Sequence, residues 1–230
     1  MKKKEAIDIN KLVQVEMIRK FFIEMLASVS NFDMDDMLVL FAEILKAYSS
    51  KSRHYHDYNH ICRMLGYWEA NKDKLKNPEA VFWTIIFHDI VYKATRKDNE
   101  EKSADAWLVF ANKHTNLSGR IKDKVYNAII ATKHNAESEA IWSKDDDIKY
   151  LLDFDLEILG TRHASEYEWY RSGVRKEYKI YPDILYKPGR KKVLESFLAR
   201  KKIYLTKEFQ ELCEKKARKN LRNEIKLYLC

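Results

Sequence analysis

Seven histidines occur in the chain, and three of them fall within Arg53-His54-Tyr55-His56-Asp57-Tyr58-Asn59-His60. Another, His88, is followed directly by Asp89 at the end of the apolar run Trp83-Thr84-Ile85-Ile86-Phe87. An imidazole and a carboxylate set side by side after a buried run are costly unless both find partners. A divalent metal ion is such a partner, since neutral imidazole and carboxylate are ordinary ligands for Mn, Fe, Zn or Mg. Two ligands do not make a site. The other candidates are His60 upstream and the carboxylates of Leu152-Asp153-Phe154-Asp155-Leu156 downstream, again polar groups set in an apolar segment. His60 is expected in the first turn of a helix, where the positive end of the dipole disfavours imidazolium and keeps the ring available as a ligand.

The elements that must position these groups read as helices from end to end, with strand signals almost absent. Leu12, Val15, Ile18, Phe22, Met25 and Leu26 form one stripe; Met37, Leu40, Phe41, Ile44 and Leu45 form the next. Asp57 is suited to cap a third helix carrying Ile61, Met64, Leu65 and Trp68 inward, and Pro78 suits the first turn of a fourth. Asp98 with Glu101 three residues on resembles a capping box ahead of Ala104, Trp107, Leu108 and Ala111. Val125 to Thr132, Tyr150 to Leu159, Glu166 to Tyr178 and Lys191 to Leu198 continue the pattern. Phe209 to Leu229 closes it with the stripe Leu212, Ala217, Leu221, Ile225 and Leu229. The expectation is an all-α, single-domain helical bundle of about ten helices.

Composition agrees with that expectation. Only five glycines and three prolines occur in 230 residues, too few for the turns of sandwiches, barrels or Gly-rich nucleotide-binding folds. Three scattered cysteines, Cys62, Cys213 and Cys230, make neither a disulfide framework nor a zinc knuckle. With no apolar stretch long enough to span a bilayer and no secretory pattern at the basic N-terminus, a cytoplasmic location is expected, with no membrane partner. The net charge of +8 is concentrated between Lys187 and Lys226, where fourteen Lys or Arg face five Glu. These cations occupy mixed helical positions interleaved with Glu, which reads as a solvated surface; no specific nucleic-acid recognition is expected.

Taken together, His60, His88-Asp89 and Asp155 on an all-helical chain resemble the HD superfamily of metal-dependent phosphohydrolases, whose signature is H…HD…D. The likeness extends to Tyr55-His56-x-x-x-His60, Phe87-His88-Asp89-Ile90-Val91-Tyr92, Asp98-Asn99-Glu100-Glu101-x-Ser103-Ala104, Ala131-Thr132-Lys133, Asp153-x-Asp155-Leu156-x-Ile158-Leu159-Gly160, Tyr170-x-x-x-x-Arg175-x-Glu177-Tyr178 and Ala217-Arg218-x-Asn220-Leu221. With these segments the chain is similar to a family of predicted metal-dependent HD phosphohydrolases of about 200 residues. The similarity spans residues 50 to 228; residues 51–230 then form the HD-type domain, and residues 1–50 are supporting helices of the same domain.

The resemblance implies a bundle of HD type and one divalent ion held by His60, His88, Asp89 and Asp155. Asp153 competes for the last place, but two residues apart on a helix the two carboxylates point about 200° apart. Asp155 is favoured because the HD ligand commonly precedes a Leu on the next turn. Tyr92 stands where some HD phosphodiesterases carry a Lys, and the histidines for a two-metal site are incomplete; a second ion has only His134 or His56 to draw on. Phosphoester hydrolysis also needs a proton acceptor and cations. Glu100, or its neighbour Glu101, is the candidate general acid or base, beside Asp89. Arg53, His56, Lys133 and Arg175, with Arg171, are candidate phosphate contacts; Tyr55, Tyr92 and Tyr178 are expected to fill the core rather than stack on a base.

The leading expectation is therefore a metal-dependent phosphohydrolase acting on a small phosphorylated metabolite, a nucleotide foremost, with Mn, Fe, Mg, Co or Zn as the ion. Two others compete. An HD-type iron oxygenase would want His56 and His134 as further ligands, and a non-enzymatic helical adaptor would bind nucleic acid or protein through the basic C-terminal region. A homo-oligomer is compatible with all three.

Overall fold

The computed structural model describes residues 9–135, 141 and 144–228. Ten α-helices are bounded within them: α1 (Ile9–Val29), α2 (Met34–Tyr48), α3 (Tyr58–Asn71), α4 (Pro78–Phe87), α5 (Asn99–His114), α6 (Gly119–Ala131), α7 (Asp146–Leu156), α8 (Ala164–Glu177), α9 (Asp183–Ala199) and α10 (Lys207–Lys226). Single 3-10 turns follow α3 and α7, at Lys72–Lys74 and Glu157–Gly160. The described residues contain no strand. The all-α class is as expected.

The helix at the centre explains the layout. In α4 every residue from Ala80 to Phe87 is buried, so it is apolar all round and must be enclosed by other helices. It packs against α3, α5, α6 and α7. The outer helices bury one stripe each: α1 presents Ile18, Phe22, Leu26 and Val29, and α2 presents Met37, Leu40, Phe41 and Ile44. Trp83 and Trp107 are fully buried and pack face to face at a tilt, with centroids 5.7 Å apart, while Phe22 meets Trp83 edge-on. The N-terminal helices thus share one hydrophobic core with the rest of the chain.

Two anchors fix the helices that carry the site. The buried carboxylate of Asp147, at the start of α7, accepts from the backbone N–H of Lys76 (2.7 Å) and Asn77 (2.9 Å), just ahead of α4. Two helices joined at their N-terminal ends, each rising about 1.5 Å per residue, bring their C-terminal ends to a similar level. His88 caps the C-terminus of α4 and Asp155 lies in the last turn of α7. On α3, Asp57 accepts from Asn59 N–H at 2.8 Å, which starts the helix one residue later and leaves His60 in its first turn.

Several local expectations are corrected. Asp98 makes no capping bond; it pairs with Arg96, and Glu101 pairs with Lys133, so the capping box does not form. The loop before α5 is closed instead by Asn99, whose amide accepts from Lys93 N–H and donates to Lys93 C=O, both at 3.0 Å. In α10, Leu212 is exposed; Phe209, Cys213, Ala217 and Leu221 are the buried apolar positions, and Leu229 lies outside the described residues. Leu12 is also exposed. The helix expected from Lys191 begins at Asp183 and runs through Pro188, because Tyr186 and Leu194 bury against the bundle and Arg190 reaches Glu224.

Candidate metal centre and cavity

Three helices deliver three ligand groups to one point. His60 of α3, His88 after α4 and Asp155 of α7 place one ligand atom each within 4.8 Å of one another. His60 Nε2 lies 3.2 Å from His88 Nε2 and 3.1 Å from Asp155 Oδ1. Both imidazoles are buried. Asp89 flanks the group, its Oδ2 3.4 Å from His88 Nε2. The four sequence candidates for a metal site are therefore neighbours, three of them converging and Asp89 beside them.

The chemistry of this donor set fits a divalent cation. His88 Nδ1 is 3.0 Å from the carbonyl oxygen of Ile85, to which it can only donate. In the neutral ring that leaves Nε2 with its lone pair directed at the cluster, the arrangement of metal-bound histidines. Two imidazole nitrogens and a carboxylate turned toward one point are held together by a proton or a cation between them. Burial pushes the carboxyl of Asp155 up, but hydrogen bonds from His134 (3.0 Å) and His60, with the nearby charges of His60 and His88, hold it well below the usual carboxylate range. Its own helix turns Asp153 the other way: Asp153 is fully buried and accepts from Leu205 N–H, Thr206 N–H and the Thr206 hydroxyl. Burial raises its pKa to about 6 despite those bonds. Asp153 is an anchor for the loop ahead of α10.

His134 reaches Asp155 from an unusual backbone. It sits just past α6 with φ 53°, in the left-handed region, and its carbonyl accepts from Arg200 at 2.6 Å. Non-glycine residues hold that conformation when their surroundings demand it.

The loop that carries His56 is held by a residue to which sequence reasoning gave no such role. Glu177, at the end of α8, accepts the backbone N–H groups of His54 (2.7 Å), Tyr55 (2.8 Å) and His56 (3.0 Å) on Oε1. Its Oε2 takes His56 Nδ1 (2.7 Å) and the Tyr92 hydroxyl (2.9 Å). Burial would raise the Glu177 carboxyl, but His56 and the amides bring it to about 2; burial would lower the His56 imidazole, but Glu177 lifts it to about 9. Its sequence signal was a Glu at the end of an expected helix, within the segment Tyr170-x-x-x-x-Arg175-x-Glu177-Tyr178.

The cluster lies at the wall of a cavity of about 790 Å³, lined among others by His56, His88, Asp89, Glu100, Lys133 and Asp155. Burial, reinforced by the charge of Asp89, raises the pKa of Glu100. Burial also works against the charge on Glu101, but its bond to Lys133 outweighs that and holds the group below its ordinary range. Three of the expected phosphate contacts are engaged by other groups of the protein. Arg53 is buried, lies outside the cavity lining, and spends its guanidinium on the carbonyls of His56 (2.9 Å), Asp89 (2.7 Å) and Ile90 (3.0 Å). Arg175 is also outside the lining; it binds Asp183 and the carbonyls of Tyr178 and Tyr181 and lies over the Tyr186 ring. Arg171 pairs with Glu168 on its own helix. Arg190, unremarked in the sequence, does line the cavity, bound to Glu224 and the Tyr170 hydroxyl.

In the basic C-terminal region Arg190, Lys191, Lys207 and Arg218 each pair with a glutamate. No described helix is long and apolar enough to cross a membrane. No family model matches the chain, and neither a curated protein nor a solved structure does.

Proposed function

We propose that the protein is a metal-dependent phosphohydrolase of HD type, acting on a small phosphorylated molecule. The observation that carries this reading is the meeting of His60, His88 and Asp155, with Asp89 beside them, at the wall of a cavity large enough for a metabolite. The resemblance of their order in the chain to H…HD…D, on an all-α fold, supports it.

His60, His88 and Asp155 would hold the ion, with Asp89 the nearest further carboxylate. When bound, a divalent cation supplies Lewis acidity, acidifying water and drawing charge from phosphoryl oxygens. The remaining work belongs to the chain. Glu100 faces the same cavity, and burial raises its pKa, which suits it to exchange a proton there. His56 lines the cavity as a cation held by Glu177 and is placed to donate to a phosphoryl oxygen. Lys133 and Lys97 add positive charge to the lining. In the overall step a water oxygen forms the new P–O bond, the ester P–O bond breaks, and the organic alcohol leaves with a proton.

The test is phosphate release by protein reconstituted with Mn, Fe, Mg, Co or Zn, over a panel of phosphomonoesters, phosphodiesters and pyrophosphates. Release that depends on a metal and is lost in Asp89→Ala supports the reading. Oxygen consumption with Fe and no release with any metal would favour an oxygenase, for which the contact of His134 with Asp155 offers a further ligand.

A further inference from the structure

We infer that the cavity takes a phosphoester whose organic part is an apolar chain, which leaves the cavity across α9. The inference rests on the phosphohydrolase reading and names the substrate class for that same site.

The cavity lining combines two chemically distinct sets of side chains. His88, Asp89, Glu100, Lys133 and Asp155 are polar, while Leu159, Val174, Leu185 and Val193 give it apolar wall. That apolar wall continues into the solvent. Leu185 and Val193 line the cavity and yet are 61% and 46% exposed. Beside them Ile180 and Ile184 are 69% and 80% exposed. Four of the thirteen exposed large hydrophobics among the described residues thus cluster in one helix and the turn before it, at the rim of the cavity. Scattered surface apolar residues need no explanation, but a contiguous group continuous with a pocket does.

The helix carrying them is not waiting to repack. Tyr186 and Leu194 are buried, and Arg190 is locked to Glu224, so α9 is docked by its inner face with these residues outward. Several polar groups of the lining are spent on the protein itself. Both ends of the Asn99 amide are spent on Lys93, and the Tyr170 hydroxyl and Arg190 are bonded to each other. An alkyl chain needs no such donors; its burial is favourable by area alone. Lys176, Lys179 and Lys192, exposed on the same segment, outnumber the exposed Asp183 and Glu195 and suit an anionic ligand.

The experiment uses the Mn-loaded full chain. n-Alkylphosphonates from ethyl to dodecyl are titrated calorimetrically below their micellar concentrations, and the matching alkyl phosphates are assayed for phosphate release. Affinity is expected to rise by up to about fourfold per methylene over the first members, and Ile184→Asp is expected to flatten the rise at the long end. Affinity independent of chain length overturns the inference, as does a nucleoside phosphonate that binds more tightly than octylphosphonate. A dimer that Ile184→Asp dissociates without changing the slope also overturns it, the patch then being a self-interface. Phosphate release with a flat slope removes the chain and leaves the hydrolase reading. A steep slope without release under any metal supports the ligand class and removes the hydrolase reading instead.

Discussion

Glu177 grips His56 twice, through its backbone N–H at 3.0 Å and its ring Nδ1 at 2.7 Å, across 121 residues of sequence. The same carboxylate holds His54 and Tyr55, so one side chain sets the entire approach to the first turn of α3 and to His60. Glu177→Ala should cost about 3–5 kcal/mol, because buried donors, one of them charged, lose their acceptor. Glu177→Gln keeps one acceptor oxygen and should cost less. Denaturant unfolding of both variants measures the difference.

The pair also sets a pH signature. Glu177 falls from 4.5 to about 2, so its contribution is present above 4.5 and is lost as the pH drops through 2. His56 rises from 6.5 to about 9, so its contribution is complete below 6.5 and is lost as the pH climbs through 9. Both describe one interaction and are not to be added. In Glu177→Gln the alkaline loss between 6.5 and 9 should disappear, which melting temperatures across that range would reveal.

Metal should stabilise the fold by binding only the native state. At a free concentration one hundred times its Kd the gain is about 2.7 kcal/mol. His60→Ala or Asp155→Asn should abolish the thermal shift produced by Mn or Zn. Asp89→Ala should spare more of the shift than either, since Asp89 flanks the trio, while phosphate release is lost.

Arg53 and Arg175 should behave as structural residues. Arg53→Ala leaves three carbonyls without a donor and should destabilise by about 2–4 kcal/mol. Arg175→Ala should leave KM for a phosphate ester within twofold, while Lys133→Ala, at the cavity wall, should raise it. A steady-state comparison of the two variants separates them.

Two glycines provide a paired control on packing. A Cβ on Gly173 would lie 2.8 Å from the His54 carbonyl oxygen and 3.0 Å from Tyr55 Cβ, so α8 must move from the His-bearing loop. Gly173→Ala should cost about 1–3 kcal/mol and weaken metal binding. Gly66, exposed in the middle of α3, has nothing within 4 Å of that position, and Gly66→Ala should stabilise by about 0.5–1 kcal/mol. Melting curves of the two variants should move in opposite directions.

The sequence by itself determined the helices and the identity of the chemical groups. Period and caps are local properties: the stripe of α2, Asp57 at the start of α3 and Pro78 in the first turn of α4 depend on neighbours a few residues away. His88-Asp89 after an apolar run, and Asp155 within one, stood out because polar groups there need partners. Local rules failed where long-range packing outweighed them. Pro188 did not end a helix whose inner face is docked, and Asp98 gave up its cap to Arg96. Only the tertiary structure decided which groups meet. His60 reaches His88 across 28 residues, and Asp147 aligns α4 with α7 across 70, so that their last turns arrive together. It also decided which cations are spent. The partners of Arg53 and Arg175 include backbone carbonyls, which every residue carries and no sequence pattern marks.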